Sequence, residues 1–215
     1  MFSRLRALVH WLWTHKLMSA GVAVVLGLVS AGAGTAVGLT LEENNAFCAS
    51  CHTQPEYDFW MRTQTVAQKP TEVADLATYH VVPMDGNKQP NREALKCISC
   101  HGGPALPDRI QTATTLGALD TIKFVALDIK QPAKLSTPLP NSYCLQCHQA
   151  DVDKTGFDNH FHNKQADPKA PAFNCTSCHV AHAEADVLNK FILREAAYPN
   201  CNMCHKVLGG PTNLK

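Results

Sequence analysis

At 215 residues the chain has room for one domain or two small ones, and its formal charge of +1 hides an asymmetry. Arg4, Arg6 and Lys16 all precede residue 17, so the remainder carries 16 basic against 18 acidic residues, a net of −2. With no basic stripe, that balance argues against a nucleic-acid partner. Phe, Trp and Tyr, at only 7% of the chain, argue against a large conventional core.

Residues 1–16 read as a basic cytoplasmic segment. Leu17–Leu41 then runs without a single charge, long enough to cross a bilayer as a tilted helix. A cleaved leader is the competing reading, with small residues at Ser30–Ala33 as a cleavage site; the length of the run favours a retained anchor. The basic flank before it, and Glu42 and Glu43 after it, put the N-terminus in the cytoplasm and residues 42–215 outside. Trp11 and Trp13 suit the interface, and Gly27, Ala31, Gly34 and Gly38 repeat at the spacing of a helix–helix packing face.

Beyond the span, no segment alternates as a half-buried strand. Short helices are predicted at 54–68, 115–129 and 183–195. Linkers rich in Pro and turn formers are predicted at 81–90 and 130–140. The fold class is therefore mostly α and irregular.

The chemistry lies in a repeated five-residue unit. Cys48-Ala-Ser-Cys51-His52 recurs as Cys97-Ile-Ser-Cys100-His101, Cys144-Leu-Gln-Cys147-His148, Cys175-Thr-Ser-Cys178-His179 and Cys201-Asn-Met-Cys204-His205. All ten cysteines are used, which leaves none for disulfides or a catalytic thiol. A redox dithiol needs one copy in a βαβ context. Zinc sites built from paired cysteines do not need a histidine fixed beside every pair. Cys-x-x-Cys-His is the attachment pattern of haem c: two thioethers tether the porphyrin, and His52, His101, His148, His179 and His205 each give iron an axial nitrogen. Five haems in 174 residues leave about 35 residues per cofactor. The macrocycles must then supply the core, and the haem-free polypeptide is expected to be mostly unfolded.

Each iron also has an opposite face. The exported non-motif histidines are His80, His160, His162 and His182, four candidates for five irons. His182 follows His179 too closely to reach round that haem and is expected to serve a neighbour. His160 and His162 are expected to serve two different irons, and His80 the first or second haem. The fifth iron takes Met61, with Met84 as the alternative thioether, or stays open. A thioether raises the potential relative to a His/His site.

One span followed by repeated Cys-x-x-Cys-His resembles the membrane-anchored multihaem cytochromes of the NapC/NirT type. The similarity lies in Phe47-Cys-Ala-Ser-Cys-His-Thr-Gln-Pro, in Tyr79-His80 ahead of the second motif, and in Phe157-Asp-Asn-His-Phe-His leading to Cys175-Thr-Ser-Cys-His-Val-Ala-His182. The familiar small members hold four haems. The count of five with an anchor also resembles the pentahaem subunit of alternative complex III; the pentahaem periplasmic donors to nitrite reductase are a weaker resemblance, because they lack a span.

The resemblance implies an electron relay between the quinol pool, or a quinol-oxidising membrane complex, and exported acceptors. Its partners would be integral membrane redox subunits, an exported redox protein and quinol itself, at the inner membrane. The rivals are an autonomous quinol dehydrogenase, for which Glu42, Glu43, Asp58 and Lys69 are candidate proton acceptors, a small-molecule reductase with one open haem, and a scaffold that wires permanent partners. Whether the chain is itself an enzyme stays open at this point.

Overall fold

The computed structural model describes residues 2–64, 73–81, 95–133 and 138–215. Helix α1 (Phe2–Thr14) and α2 (Lys16–Leu41) meet at His15, whose backbone leaves helical geometry. None of α2 is buried, and its length and composition are those of a membrane-crossing helix. Asn44 then accepts a hydrogen bond from the Ala46 amide at 3.0 Å and so caps α3 (Asn45–Cys51), as a short polar side chain at an N-cap does.

After α2 the chain is a series of short helices with no strand among the described residues; the single bridge there joins His179 to Ile192. Helix α4 (Glu56–Gln64) is followed by α5 (Leu76–Val81) and α6 (Cys97–His101). Helix α7 (Leu106–Thr112), with Pro107 in its first turn, passes through a π-turn at Ala113–Gly117 into α8 (Ala118–Val125). Helices α9 (Asn141–Val152), α10 (His160–Lys164) and α11 (Arg194–Leu208) complete the set.

Two of the three predicted helices are present with shifted limits. α4 falls inside 54–68, and the last four residues of that range lie outside the described residues. The helical run predicted at 115–129 begins earlier, at Leu106, and stops where Leu127 turns to a φ of 58°. The third, at 183–195, is not a helix. Asp186 caps a single 3₁₀ turn at Val187–Asn189, and Lys190 and Phe191 then adopt positive φ values of 54° and 56°, which no helix continues through. The left-handed pair is part of the site, because it delivers the Lys190 carbonyl to His179.

Little of the chain is buried on its own account. Val73 and Phe191 form a small cluster with Leu76, Tyr79, Ala185 and Val187. Beside it, fully buried Asp75 accepts from the Thr78 amide at 2.7 Å and from Arg62 Nη1 at 2.9 Å. Arg62 also donates to the His182 carbonyl at 3.1 Å. A buried carboxylate needs such a partner, and this one ties α4 and α5 to the backbone of a candidate iron ligand.

Candidate functional site

Four of the five Cys-x-x-Cys-His motifs are helical, ending α3, forming α6, and lying within α9 and α11; the fourth is a 3₁₀ turn, Cys175–Ser177. A helical turn puts the two cysteines of a motif, three apart, on one face.

The motif histidines come together with the non-motif histidines in twos. His101 lies 6.1 Å from His182 and His179 6.2 Å from His162, ring centre to ring centre, with the rings 13° and 8° from parallel. His205 and His160 are 6.3 Å apart at 36°, and His148 and His80 are 5.9 Å apart at 83°. Two metal–nitrogen bonds of about 2.0 Å, plus about 1.1 Å from each nitrogen to its ring centre, give about 6.2 Å. All four pairs therefore have the separation that one iron between two imidazoles requires.

Six of the eight rings have a partner on Nδ1, whereas His182 Nδ1 is buried without one among the described residues. Among motif histidines, Nδ1 of His179 donates to the Lys190 carbonyl at 2.9 Å and that of His205 to the Pro211 carbonyl at 2.7 Å, while His148 Nδ1 faces Asp151 Oδ2 at 3.3 Å. Among their partners, His80 donates to Leu76, His160 to Phe157 and His162 to the Asn159 side chain, at 2.8, 2.7 and 2.6 Å. A carbonyl on Nδ1 fixes the proton there and leaves Nε2 as the free lone pair. Burial pushes the His101 ring down to about 4 and also lowers His162 and His182, so these three are neutral and ligand-competent at neutral pH. His182 is stacked face to face on Phe59, 4.3 Å away. Spacing and donor chemistry fit haem iron in all four pairs.

The placement is not the one nearest in sequence. His182 stands against the second motif's histidine. His80, which lies between the first two motifs in sequence, stands against the third. His160 and His162, two apart on one-turn α10, project to opposite sides and meet the fifth and fourth motifs respectively.

Among the described residues, the first motif has no histidine facing it. His52 Nε2 lies 3.9 Å from Asp120 Oδ2, close to the sum of two metal–ligand bonds of about 2.0 Å, and His52 Nδ1 is buried with no hydrogen-bond partner among those residues. Met61 stands on α4, 40% exposed, and Met84 lies outside the described residues. Asp120 is the group that sequence reasoning misses. Four non-motif histidines for five motifs point to a fifth ligand of another kind, for which a thioether is the obvious candidate. An acid in the first turn of α8 reads instead as ordinary helix capping charge.

Around His52 the end of α2 packs on α7 and the π-turn. Glu43 pairs with Lys96 at 2.6 Å and with Arg109, which hold its carboxyl below the usual carboxylate range through those hydrogen bonds. Its neighbour Glu42 touches Gly117, with Oε1 3.1 Å from where a Cβ would stand, and burial raises its pKa. Asp58 lies in the first turn of α4, and Lys69 is outside the described residues.

Successive motifs touch in chain order. The Cys48 and Cys97 side chains lie against each other where α3 packs on α6. The Cys144 and Cys175 side chains also lie against each other. Both contacts carry the same bracket three residues before a first cysteine: Asn45 Oδ1 accepts from the Cys97 amide at 3.0 Å, and Asn141 Oδ1 from the Cys175 amide at 2.8 Å. The second and third motifs meet where α6 packs on α9. Gly103, at a φ of 86°, lies there so close to Tyr143 that a Cβ would stand 2.7 Å from its ring. Asn200 joins the last two, donating to the Ser177 carbonyl at 3.0 Å and facing Cys178 Sγ at 3.8 Å.

Removing the Asn141 bracket with Asn141→Ala leaves the part-buried Cys175 amide and the Phe173 carbonyl unpaired. The expected cost is about 1–3 kcal/mol, read as a lower melting temperature of the haem-loaded protein with its visible spectrum unchanged. An unchanged melting temperature would show that the bracket contributes nothing.

Residues 47–117, which contain the first two motifs, match the family model of cytochrome c554 and c-prime. The chain is also 30% identical, over 164 residues, to the cytochrome c-type protein NrfB of Haemophilus influenzae. That match covers 75% of this chain and 64% of the relative, so the chain spans slightly under two thirds of the relative's length. No solved structure matches it. Both matches are to c-type cytochromes, the class in which Cys-x-x-Cys-His tethers haem.

Proposed function

We propose that this cytochrome carries five haems on a single membrane anchor. It relays electrons between the quinol pool, or a quinol-oxidising membrane complex, and exported redox acceptors. Residues 17–41 anchor it in the inner membrane with the N-terminus in the cytoplasm, and residues 42–215 form the periplasmic haem domain. The observation that carries the reading is the set of four histidine pairs, 5.9–6.3 Å apart, each joining one motif histidine to one non-motif histidine.

Haem c supplies one-electron Fe(III)/Fe(II) exchange when bound. The chain's own residues tether it, supply axial nitrogens, and tune it through second-sphere hydrogen bonds. The partners on Nδ1 differ from pair to pair, from a backbone carbonyl at His179 to a carboxylate at His148. A carboxylate makes the imidazole a stronger donor, so the third motif's site is the one most biased toward Fe(III). The motif contacts make a serial path from the first motif, beside the outer end of α2, to the fifth near the C-terminus. At the first motif, Asp120 is the group opposite His52.

The second reading is that the chain oxidises quinol unaided. Glu42 favours it, since a half-buried carboxyl with a raised pKa at the end of the span is a base placed to take a proton as electrons leave.

Purification of the full chain from membranes under mild detergent separates these readings. Five covalent haems per polypeptide, co-purifying polytopic subunits and no quinol oxidation by the separated cytochrome are the expected result. Quinol oxidation by the cytochrome alone would favour the second reading. Recovery as a soluble protein lacking residues 1–41 would overturn the anchor.

A further inference from the structure

Helix α8 has two faces with opposite characters. Asp120 looks toward His52, with Lys123 3.5 Å from its carboxylate. The other side carries Leu119, Ile122 and Val125, at 47%, 65% and 77% exposure. Their i, i+3, i+6 spacing confines them to an arc of about 120°. Leu127, where the chain leaves the helix, is 92% exposed. Because Asp120 fixes which side faces the first motif, this apolar stripe points away from the haem-bearing side and no cofactor there covers it. A contiguous apolar patch of this kind on a polar domain marks a contact surface.

Its position specifies the contact. The π-turn that leads into α8 packs on α2, and Gly117 touches Glu42, the residue just past the end of α2. The 26 residues of α2 reach about 39 Å, more than the hydrocarbon thickness of about 30 Å and close to the 40–45 Å that includes the headgroups. Glu42 therefore sits at headgroup level. Val125 follows Gly117 by eight residues, about 12 Å along the helix, so the stripe starts beside the bilayer and stays within reach of it. Exposed Lys130 beyond the helix suits anionic headgroups.

We propose that α8 is an interfacial helix, its Leu119–Ile122–Val125 stripe and Leu127 seated in the outer surface of the lipid bilayer and its Asp120 face held against the first motif. This rests on α2 spanning the membrane. It adds a second membrane contact, which fixes the orientation of the haem domain and brings the first motif down to the lipid surface.

The test reconstitutes the full, haem-loaded chain in phosphatidylethanolamine–phosphatidylglycerol vesicles doped with a phospholipid whose acyl chain carries a diazirine. After photolysis, peptides are mapped by mass spectrometry. Trypsin, cutting after Arg109, Lys123 and Lys130, divides α8 between peptides 110–123 and 124–130. Lipid adducts on both, as well as on the α2 peptide, are expected. In the Ile122→Asp, Val125→Asp double variant the adducts on these two peptides fall at least about fivefold, while those on α2 and the visible spectrum stay as they were. Adducts on α2 but not on 110–130, or crosslinks from 110–130 only to a second copy of the chain, overturn the interfacial helix alone. Absence of adducts from α2 as well overturns the membrane-span reading and this inference with it.

Discussion

In the proposed relay, changing His182 to Ala is expected to open the iron of the second motif and to interrupt transfer one step from its start. Roughly one fifth of the haem is expected to become high-spin in the oxidised protein, and that site's potential is expected to shift by about 100 mV or more upward. His101 keeps its side of the iron, since its own placement does not depend on the lost ring. For a one-electron carrier each 59 mV is about tenfold in equilibrium constant, so the second site becomes a trap and passage to the third slows by at least about tenfold. Arg62, Phe59 and Asp75 hold the segment around His182. Arg62→Ala is therefore expected to weaken the same coordination partly, where a random surface change would leave it untouched. Spectral titration reads the potential, and stopped-flow reduction reads the rate. A fully low-spin His182→Ala protein would break the pairing with His101.

The second large effect concerns the first motif. Asp120→His supplies the one imidazole that this site lacks and is expected to turn the His52 iron into a fifth low-spin His/His centre, with its potential displaced by about 100 mV or more. Asp120→Ala is expected to leave the same iron open, so that added imidazole or cyanide binds one haem in five. Met61→Ala is expected to leave the spectrum of the loaded protein unchanged. If Met61→Ala abolishes a thioether-to-iron band while Asp120→Ala changes nothing, the sixth position belongs to the methionine.

The parts of this site that are local in sequence are legible in the sequence itself. A Cys-x-x-Cys-His motif puts both candidate tethers and one candidate ligand within five residues, so proposing them needs no tertiary information. Composition shows the scarcity of aromatic core, and the uncharged run at 17–41 shows the long apolar helix. The count of four non-motif histidines for five motifs is also plain, and it points to one exceptional site. Pairing is another matter. His101 and His182, or His80 and His148, are joined by contacts between segments far apart along the chain, which no periodicity encodes. Asp120 stays hidden because an acid in the first turn of an amphipathic helix has an ordinary explanation in the helix dipole. The bracket made by Asn45 and Asn141 recurs at one offset, but a lone asparagine three residues ahead of a cysteine has no meaning until its amide partner is in place. The composition of 183–195 allows a helix that does not form; its left-handed residues serve a hydrogen bond to His179, a tertiary demand that overrides local propensity.

A census of iron coordination tests the four histidine pairs and the exceptional first site most directly. Near-infrared magnetic circular dichroism and electron paramagnetic resonance, applied to the oxidised full chain after its covalent haem content is measured, distinguish His/His, His/Met and oxygen-ligated or open irons. Five haems are expected, four of them low-spin His/His, one of these with nearly perpendicular rings as at His80 and His148, and one site with a histidine and no second nitrogen. Fewer than five covalent haems, or five equivalent His/His centres, would contradict this assignment.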